Sequence, residues 1–360
     1  MHQPHTRMRA IGLRATLLAM LGLIPSCAAA DVAALPLFID DTPIEASLEV
    51  PMRALRRHGS DEPALPARFS YLEADGRLRT LDVKVSPRGH SRLELCNLPP
   101  LKLDFRRKQV EGTLFEGQNR LKLVTHCKSS SSFYRYLQHE YALYRSYAAL
   151  TDAAFRVRKL ELTYKDADGG RPQTRPAFLI ESDRELAARL GYTEVEIPVI
   201  ANSQLAPEAI TLLGLFQFMA GNTDWSLRKG PGDAPCCHNG LLLRRPDGDH
   251  VIVPYDFDQA GLIDAAYANP APALGIRSVR QRIYRGLCTG AQRHTEAIDI
   301  MNSGRAQIEA EFPMDGPMKS PNRRALRYID GFYNIVNDSE KRRRWINDAC
   351  RGTASDWPPG

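Results

Sequence analysis

The chain has 360 residues, of which 43% are hydrophobic and 25% are charged. This balance is typical of a folded globular protein and excludes collagen-like, coiled-coil and disordered chains. The length allows two domains or one larger enzyme. The formal net charge is +6, and it falls to +3 without the first thirty residues, which carry three arginines and no acidic residue. A charge this small predicts that nucleic acid is not the partner.

The first thirty residues have the pattern of a secretory signal peptide. Arginines up to Arg14 precede an apolar run, residues 15–24, and three alanines end the segment at Ala30. The run is too short to cross a bilayer, which takes about 20 apolar residues, and no later stretch is long enough. We therefore expect an exported protein, periplasmic or secreted, with no transmembrane span. Because the stretch at Cys27 loosely resembles a lipoprotein box, a membrane-anchored lipoprotein acylated at Cys27 is the alternative to simple cleavage after Ala30.

Six cysteines follow the signal peptide, and an even number in an exported chain predicts disulfides. They are Cys96, Cys127, Cys236, Cys237, Cys288 and Cys350. The first two lie at the ends of neighbouring segments of the β-rich part, so that a disulfide between them is the simplest pairing. We expect the adjacent pair at 236 and 237 to reach the two C-terminal cysteines rather than to close on itself. A zinc site that includes His238 is the alternative, although the spacing is not that of a zinc finger or ribbon.

The predicted elements begin after a lead-in, residues 31–67, that is rich in proline and alanine and has at most one strand. Short apolar runs then predict a β-rich segment over residues 68–181, including a hairpin around Asp75-Gly76 and four further strands. Within this segment, apolar residues recur at helical spacing over residues 131–150 and predict one long helix. The predicted order of elements in this part of the chain is therefore strands, one long helix and further strands.

Residues 182–350 are predicted to be mostly helical. An apolar helix begins at Pro207 and ends at Gly221, and a hairpin follows over residues 241–254. Two C-terminal helices with basic outer faces come next, and residues 351–360 form a tail. The pattern predicts an α+β fold with a β-rich N-terminal lobe and a mostly helical C-terminal lobe.

Four polar residues lie at the ends of predicted elements in the mostly helical part of the chain. Asp224 follows the apolar helix, Asn239 lies further along the same loop, and Asp256 and Asp258 end the hairpin. In metal-assisted phosphoryl transfer one carboxylate orients the nucleophile, while an amide oxygen and a second carboxylate hold Mg²⁺ against the phosphates. Any one aspartate alone would more often cap a helix or form a turn. Two carboxylates at the end of an apolar strand favour a metal-binding site over a turn, because their charges need a compensating cation.

These residues, together with several strand segments, also carry a resemblance to known families. The matching stretches are Arg88-Gly89-His90-Ser91, Leu101–Phe105, Leu121–Leu123, Phe178–Glu181, Gly221–Asp224 with Asn239, and Pro254–Asp258. In this order, over roughly residues 80–262, the chain resembles the CotH family of spore-coat kinase-like proteins. It is more distantly similar to HipA-type and phosphatidylinositol-kinase-type enzymes, and it also resembles a family of exported bacterial proteins of undetermined function. The resemblance implies a two-lobed, atypical protein-kinase-like fold.

The resemblance also implies roles for the polar residues of the second half. Asp224 would be the aspartate of the catalytic loop, and Asn239 and Asp256 would bind Mg²⁺, with Asp258 as a further ligand. Mn²⁺ or Ca²⁺ are the alternative ions.

For the nucleotide, the resemblance points to the β-rich part. Lys102 or Lys122 would hold the phosphates of ATP or of another nucleotide, and Glu140 on the long helix would pair with that lysine. Glu181, in the strand between the expected lobes, would line the nucleotide site. A plain edge-strand charge for Lys102 and a solvated helix face for Glu140 are the alternatives.

Two functional hypotheses follow. The first is an exported CotH-like atypical kinase that transfers a phosphoryl or nucleotidyl group from a Mg-nucleotide to a protein or small-molecule acceptor. The second is a catalytically silent kinase-fold binding protein of the envelope that uses the acidic cluster for divalent cations. The complete set of aspartates and Asn239 favours the first, whereas the lack of a Gly-rich phosphate loop in the sequence favours the second.

Overall fold

Seven strands between residues 44 and 180 curl into a closed β-barrel. The computed structural model describes residues 1–2, 35–59, 61–89 and 91–352, with the backbone alone of Ser91. The barrel strands are β1 (Ile44–Val50), β2 (Leu65–Leu72), β3 (Leu78–Pro87), β4 (Leu101–Phe105), β5 (Arg120–Val124), β6 (Val157–Asp166) and β7 (Gln173–Ile180). Neighbours follow the order β1-β2-β3-β4-β5-β7-β6, and the parallel pairing of β1 with β6 closes the barrel.

Alternating side chains fill the barrel. Along β1 the buried positions are Ile44, Ala46, Leu48 and Val50, which all point inward because successive strand residues face opposite sides. Strands β2 and β4 alternate in the same way, and Phe69 and Phe105 on them form an aromatic cluster with Phe115 from the loop before β5. The barrel thus has its own apolar core, and the hairpin predicted around Asp75-Gly76 is confirmed by the pairing of β2 with β3.

The prediction of a two-lobed kinase-like fold is wrong, although the chain is α+β overall. The prediction was a β-rich N-terminal lobe over residues 68–181, whereas the described strands close on themselves into a barrel that begins at β1. The closing strand is β1, which lies in the stretch that composition marks as a lead-in. Its partner β6 is distant in sequence, and a single chain gives no signal for such a long-range parallel pairing.

The helices are listed here in chain order. They are α1 (Met52–Arg57), α2 (Ser91–Leu95), α3 (Arg107–Val110), α4 (Ser131–Ala148), α5 (Asp183–Leu190), α6 (Pro207–Ala220), α7 (Ala291–Ser303), α8 (Arg305–Ala310), α9 (Lys319–Val336) and α10 (Ser339–Arg342). Short 3₁₀ turns lie at 36–38, 202–204, 272–274 and 316–318, and a π-helical turn follows α10 at 343–347. The long helix predicted over residues 131–150 is confirmed as α4.

Helix α4 joins the barrel to a second apolar core. Its Tyr141 and Tyr144 meet the ring of Phe178 on β7 edge to face, and Tyr144 also meets Phe257 beyond the barrel. The second core is built mainly from α4, α6, α7 and α9. Helix α4 is therefore buried on most of its surface, which is why polar residues on it, such as Glu140, are also buried.

A small antiparallel sheet lies beside the second core. Its strands are β8 (Thr193–Glu194), β9 (Gly240–Arg244) and β10 (His250–Pro254), in the order β10-β9-β8. The pairing of β9 with β10 confirms the hairpin predicted over residues 241–254. Strand β10 is buried at every position, so that it delivers the chain directly from the core to residues 255–258.

Three disulfides join the six cysteines in the described part of the chain. The expected Cys96–Cys127 bond is present. The prediction for the other four is wrong, because Cys236 bonds to its neighbour Cys237 and Cys288 bonds to Cys350. This pairing leaves the loop before β9 without a covalent link to the C-terminal helices. It also uses the two thiols that a zinc site with His238 would need.

Two further findings bear on the expected compartment. Disulfides are typical of proteins that fold in an oxidising compartment outside the cytosol. Within the described ranges, no helix has the length and apolar character needed to cross a membrane. Residues 3–30 of the predicted signal peptide, with Cys27, and residues 353–360 of the C-terminal tail lie outside the described residues.

Candidate functional site

The four polar residues singled out in the sequence line one cleft. Asp224, Asn239, Asp256 and Asp258 surround a cavity of about 570 Å³, into which Arg88 and other residues of the barrel rim also project. The residues come from the loop after α6 and from the end of β10. The fold therefore joins segments that are separated by the β9–β10 hairpin, and it places them against the end of strand β3.

The inner side of the cleft holds a buried charge cluster centred on Arg92. The Nε of Arg92 donates to Asp258 Oδ2 at 2.9 Å, and its Nη2 donates to Asp256 Oδ1 at 2.9 Å. The same Nη2 lies 3.1 and 3.2 Å from the two carboxylate oxygens of Glu140 on α4. The side chain of Arg92 is only 12% exposed, and those of Glu140 and Asp258 are 5% and 7% exposed. We call these four residues the Arg92 cluster.

The Arg92 cluster holds one buried cation against three carboxylates. Burial alone would lower the pKa of Arg92, but the charges of Asp258, Glu140 and Asp256 outweigh it and hold that pKa well above its usual value. Burial raises the pKa of Glu140 and of Asp258, and the neighbouring carboxylates add to this. Because a buried carboxylate is costly without a partner, the guanidinium is what keeps the cluster together.

The outer side of the cleft holds a second, more exposed group. His238 Nε2 lies 2.9 Å from Asp224 Oδ1, and Asn239 Nδ2 donates to Asp224 Oδ2 at 3.0 Å. The Asp224 side chain is 44% exposed. We call these three residues the Asp224 cluster. Its carboxylate is fixed by two neighbours and still reaches the solvent of the cleft.

The hydrogen bond to Asp224 raises the pKa of His238 above its usual value, although partial burial opposes this effect. A proton on His238 is stabilised because the carboxylate lies beside it. A titratable imidazole thus lies hydrogen-bonded to a carboxylate in the cleft, and both are side chains of the kind that general acid–base catalysis uses.

The backbone positions the Asp224 cluster. Helix α6 ends at Gly221, whose φ of 64° lies in the left-handed region that favours glycine. Asn222 then caps the turn, since its Oδ1 accepts the backbone N–H of Asp224 and its carbonyl accepts the indole N–H of Trp225. The guanidinium of Arg285 donates to the carbonyl of Thr223. The turn that carries Asp224 is thus tied to buried groups on both sides.

The loop between Asp224 and Asn239 has fourteen residues, and it folds back on itself. Asn239 Nδ2 also donates to the backbone carbonyl of Asp224 at 2.6 Å, and Ser226 N–H donates to the carbonyl of His238. Asn239 and Asp256 have φ angles of 52° and 59°. Left-handed backbone at non-glycine residues is uncommon and concentrates at functional sites, where the surrounding contacts impose it. At Asp256 one such contact is the N–H bond to the Tyr144 hydroxyl.

None of the four expected nucleotide-binding residues is among those that line the cleft. Lys122 on β5 lies opposite Lys102 on β4, and its Nζ donates to Asp183 Oδ1 at 2.7 Å. Glu140 contacts Arg92 and neither of the two lysines. Glu181 is held by Arg189 through two hydrogen bonds of 3.0 Å. The structure therefore brings the metal and catalytic candidates together and places the lysine–glutamate pair of the prediction apart.

The oxygen atoms left over in the cleft decide whether Mg²⁺ fits. Arg92 uses Asp256 Oδ1 and the Asp224 cluster uses Asn239 Nδ2, so that Asp256 Oδ2 and Asn239 Oδ1 remain as hard oxygen ligands. In the described residues no group of three or more His, Cys, Asp or Glu side chains could hold a metal. Mg²⁺ in phosphate-transferring proteins commonly uses one or two carboxylates, water and the phosphates themselves. The donor set fits such a shared ion and does not form a complete protein cage.

Two residues of the site were missed in the sequence. Arg92 immediately follows the matched stretch Arg88 to Ser91 and lies on the short helix α2. The sequence around it does not predict that three acids from distant segments surround it. His238 was considered only as a zinc ligand or a structural residue. Its position next to Asn239 was the available signal, since a residue beside a predicted ligand is placed near the same site.

Comparison with known proteins gives no family for this chain. No protein-family model, no curated protein and no solved structure matches it. The resemblance to the CotH-like family therefore stays a prediction, and the site has to be interpreted from its own geometry.

Proposed function

We propose that the cleft transfers a phosphoryl or nucleotidyl group from a Mg-nucleotide such as ATP to a hydroxyl-bearing acceptor. The observation that carries the proposal is the position of Asp224. Its carboxylate is fixed by His238 and Asn239, opens into the cleft, and shares that cleft with Asp256 and with Arg88. A positioned carboxylate beside metal-ligating oxygens and a cation is the arrangement that phosphoryl transfer needs.

In this mechanism Asp224 acts on the acceptor. The carboxylate accepts the proton of the acceptor hydroxyl while that oxygen forms a bond to phosphorus and the bond from phosphorus to the leaving oxygen breaks. His238 holds the carboxylate through Oδ1 and Asn239 holds it through Oδ2. These two contacts fix the carboxylate in one orientation, which lowers the entropy lost on reaching the transition state.

The donor phosphates would lie near Arg88. This residue lines the cleft, and its buried Nε makes no hydrogen bond with the described part of the chain. A guanidinium group binds phosphate oxygens with two parallel bonds, which supports a role in holding the donor. Asp256 Oδ2 and Asn239 Oδ1 would hold Mg²⁺, which neutralises phosphate charge when bound.

The binding part of the proposal is tested by melting the protein with Mg²⁺ and ATP together, and with each alone. A ligand at about 100 times its Kd adds about 2.7 kcal/mol to the free energy of unfolding, which raises the melting temperature by several degrees. We expect this rise only with both components. The Asp256→Asn variant should lose it, whereas Asp299→Asn, a matched change at an exposed residue of α7, should keep it.

The catalytic part is tested by following transfer from labelled ATP to candidate acceptors. Asp224→Asn removes the proton acceptor and should lower the rate by about 10²- to 10⁴-fold, the usual contribution of general base catalysis. Binding of Mg–ATP should change little, because Asp224 is not among the residues assigned to the donor. Equal rates for Asp224→Asn and the parent protein would overturn the role of Asp224.

The Arg92 cluster favours one competing function. Since Arg92 already pairs with Asp256, Asp258 and Glu140, these acids can be explained as partners of a structural ion pair in an envelope protein that binds a partner without catalysis. A melting shift with Ca²⁺ or Mg²⁺ alone, and none with ATP, would support that function against group transfer.

A further inference from the structure

A second pocket lies on the other side of the turn that carries Asp224. It has a volume of about 580 Å³ and is formed by residues of the loop after α6, together with residues near the Cys288–Cys350 disulfide. Its cationic lining residues are Arg228, Lys229, Arg285 and Arg351. None of its lining residues is acidic. The pocket shares no lining residue with the cleft of the Asp224 and Arg92 clusters.

The four cations of the pocket form no salt bridge within the part of the chain that the structure describes, whereas Arg92, Arg145 and Arg189 each contact at least one carboxylate. Arg228, Lys229 and Arg351 are exposed. Four like charges around one cavity repel each other, and an anion bound between them removes that repulsion.

Arg285 extends this charge into the interior. One of its nitrogens donates to the carbonyl of Thr223, but its buried Nε has no partner among the described residues. Burial lowers the pKa of Arg285 and the charge of Arg351 adds to this effect, while the charge of Asp224 opposes it. A buried donor without a partner is uncommon, and one that faces a cavity is usually satisfied by a ligand or by water.

The remaining walls are apolar. Trp225, Leu227 and Leu287 line the pocket, and all three are buried. The guanidinium of Arg285 lies 5.7 Å from the Trp225 ring. A pocket with an apolar wall and several cations suits a ligand that has an apolar ring and a strongly anionic group. The ring then packs against the apolar wall, and the anionic group pairs with the cations.

We propose that this pocket binds an organic phosphate, a phosphate monoester of an apolar, ring-bearing alcohol. The four cations bind the dianionic phosphate and Trp225 contacts the ring. This site is separate from the donor site of the cleft, and it does not depend on the proposed group transfer.

The test is calorimetric titration of the full chain with 1-naphthyl phosphate. Inorganic phosphate and 1-naphthol are titrated in parallel, so that the anionic and the apolar parts of the probe are measured separately. We expect the complete probe to bind more tightly than either part, and its affinity to fall as salt is added, since charged contacts are screened. Quenching of Trp225 fluorescence should follow the same isotherm.

Matched double variants test the location. Arg228→Gln with Lys229→Gln should weaken binding by about tenfold or more, because it removes two charge-assisted contacts. Arg323→Gln with Arg324→Gln removes the same charge from exposed positions of α9 and should leave the affinity within about twofold. Both variants avoid Arg285, whose bond to Thr223 also supports the turn.

Three results would overturn the proposal. The first is a dissociation constant weaker than about 1 mM for the complete probe. The second is an equal loss in the two double variants, which would mean that general surface charge attracts the probe. The third is binding that appears only in a chain ended at Gly352, which would mean that residues 353–360 and not a free phosphate occupy the pocket. A melting shift with Mg–ATP is measured separately, so that this site and the proposed activity can fail independently.

Discussion

The two acidic groups of the cleft hold their charges in opposite ways. In the Arg92 cluster one guanidinium is shared among three carboxylates, two of which are almost fully buried. In the Asp224 cluster one half-exposed carboxylate is held by a histidine and an amide, with no full opposite charge required. The first group resists change because any loss leaves a buried charge alone. In the second group the carboxylate is 44% exposed, so that solvent can compensate a change of charge there.

The comparison separates residues that support the cleft from residues that act in it. Sequence patterns mark aspartates in both groups, and only burial tells them apart. Asp258 and Asp256 are two residues apart, yet one is buried and the other is 44% exposed. We therefore assign support to Asp258 and Glu140, and we propose ligand binding for the free oxygen of Asp256.

The largest expected effect comes from Arg92→Met. This change leaves Glu140 and Asp258 buried without a cation, and breaking a buried ion pair in this way costs about 3–5 kcal/mol. Urea unfolding of the variant and the parent measures the loss. Arg305→Met, at a surface arginine that pairs with Glu309 and Asp330, is the control and should cost no more than about 1 kcal/mol. Similar losses in the two variants would show that burial of the Arg92 cluster does not make its ion pairs more costly to break than surface ones.

A smaller effect is expected from Gly221→Ala, which tests how the backbone positions Asp224. The left-handed φ strains alanine, and an added Cβ would meet the Tyr328 hydroxyl. We expect a loss of about 1–3 kcal/mol in the free energy of unfolding. Gly112 has nearly the same φ, 66°, but no atom lies within 4 Å of an added Cβ. Gly112→Ala therefore isolates the strain, and an equal loss in both variants would exclude a role for the contact with Tyr328.

The smallest effect is expected from Asp224→Asn. The variant weakens the hydrogen bond between His238 Nε2 and Asp224 Oδ1, which raises the pKa of His238. The stability that this bond contributes is complete below the ordinary pKa of 6.5, and it is lost as the pH rises through the higher pKa of the folded state. The partly exposed pair should contribute less than about 1 kcal/mol. Titration of the histidine ring signals by NMR should show the pKa of His238 falling toward 6.5 in the variant. The ring of His294, whose pKa is lowered by burial, is the internal reference and should not move.

Local patterns in the sequence predict much of the fold. The β2–β3 hairpin, helix α4, helix α6 with its glycine end and the β9–β10 hairpin all follow from periodicity and turn residues. The barrel does not, because its closure depends on β1 pairing with β6 far along the chain. Disulfide pairing is limited in the same way, since the adjacent Cys236 and Cys237 could be expected to reach outward as easily as to join.

The residues of the candidate site also fall into those that the sequence predicts and those that it does not. Asp224, Asn239 and the two later aspartates could be found because they follow recognisable helix and strand ends. Arg92 could not, since its three partners come from α4 and from the segment after β10. The expected pairing of Glu140 with a lysine came from the family resemblance. The sequence could not show that an arginine on α2 lies closer.

The parallel pairing of β1 with β6 has a consequence for the order of folding. Strands β2 to β5 and helix α4 all lie between the two partners, so that β1 waits for most of the barrel before it gains its second neighbour. Contacts between distant segments form slowly, since a long loop must close first. Until β6 arrives, one edge of β1 is open to strands of other molecules. A chain synthesised from its N-terminus exposes that edge until the residues between Val50 and Val157 have been added, and the yield of folded protein would depend on how well the edge is shielded during that time.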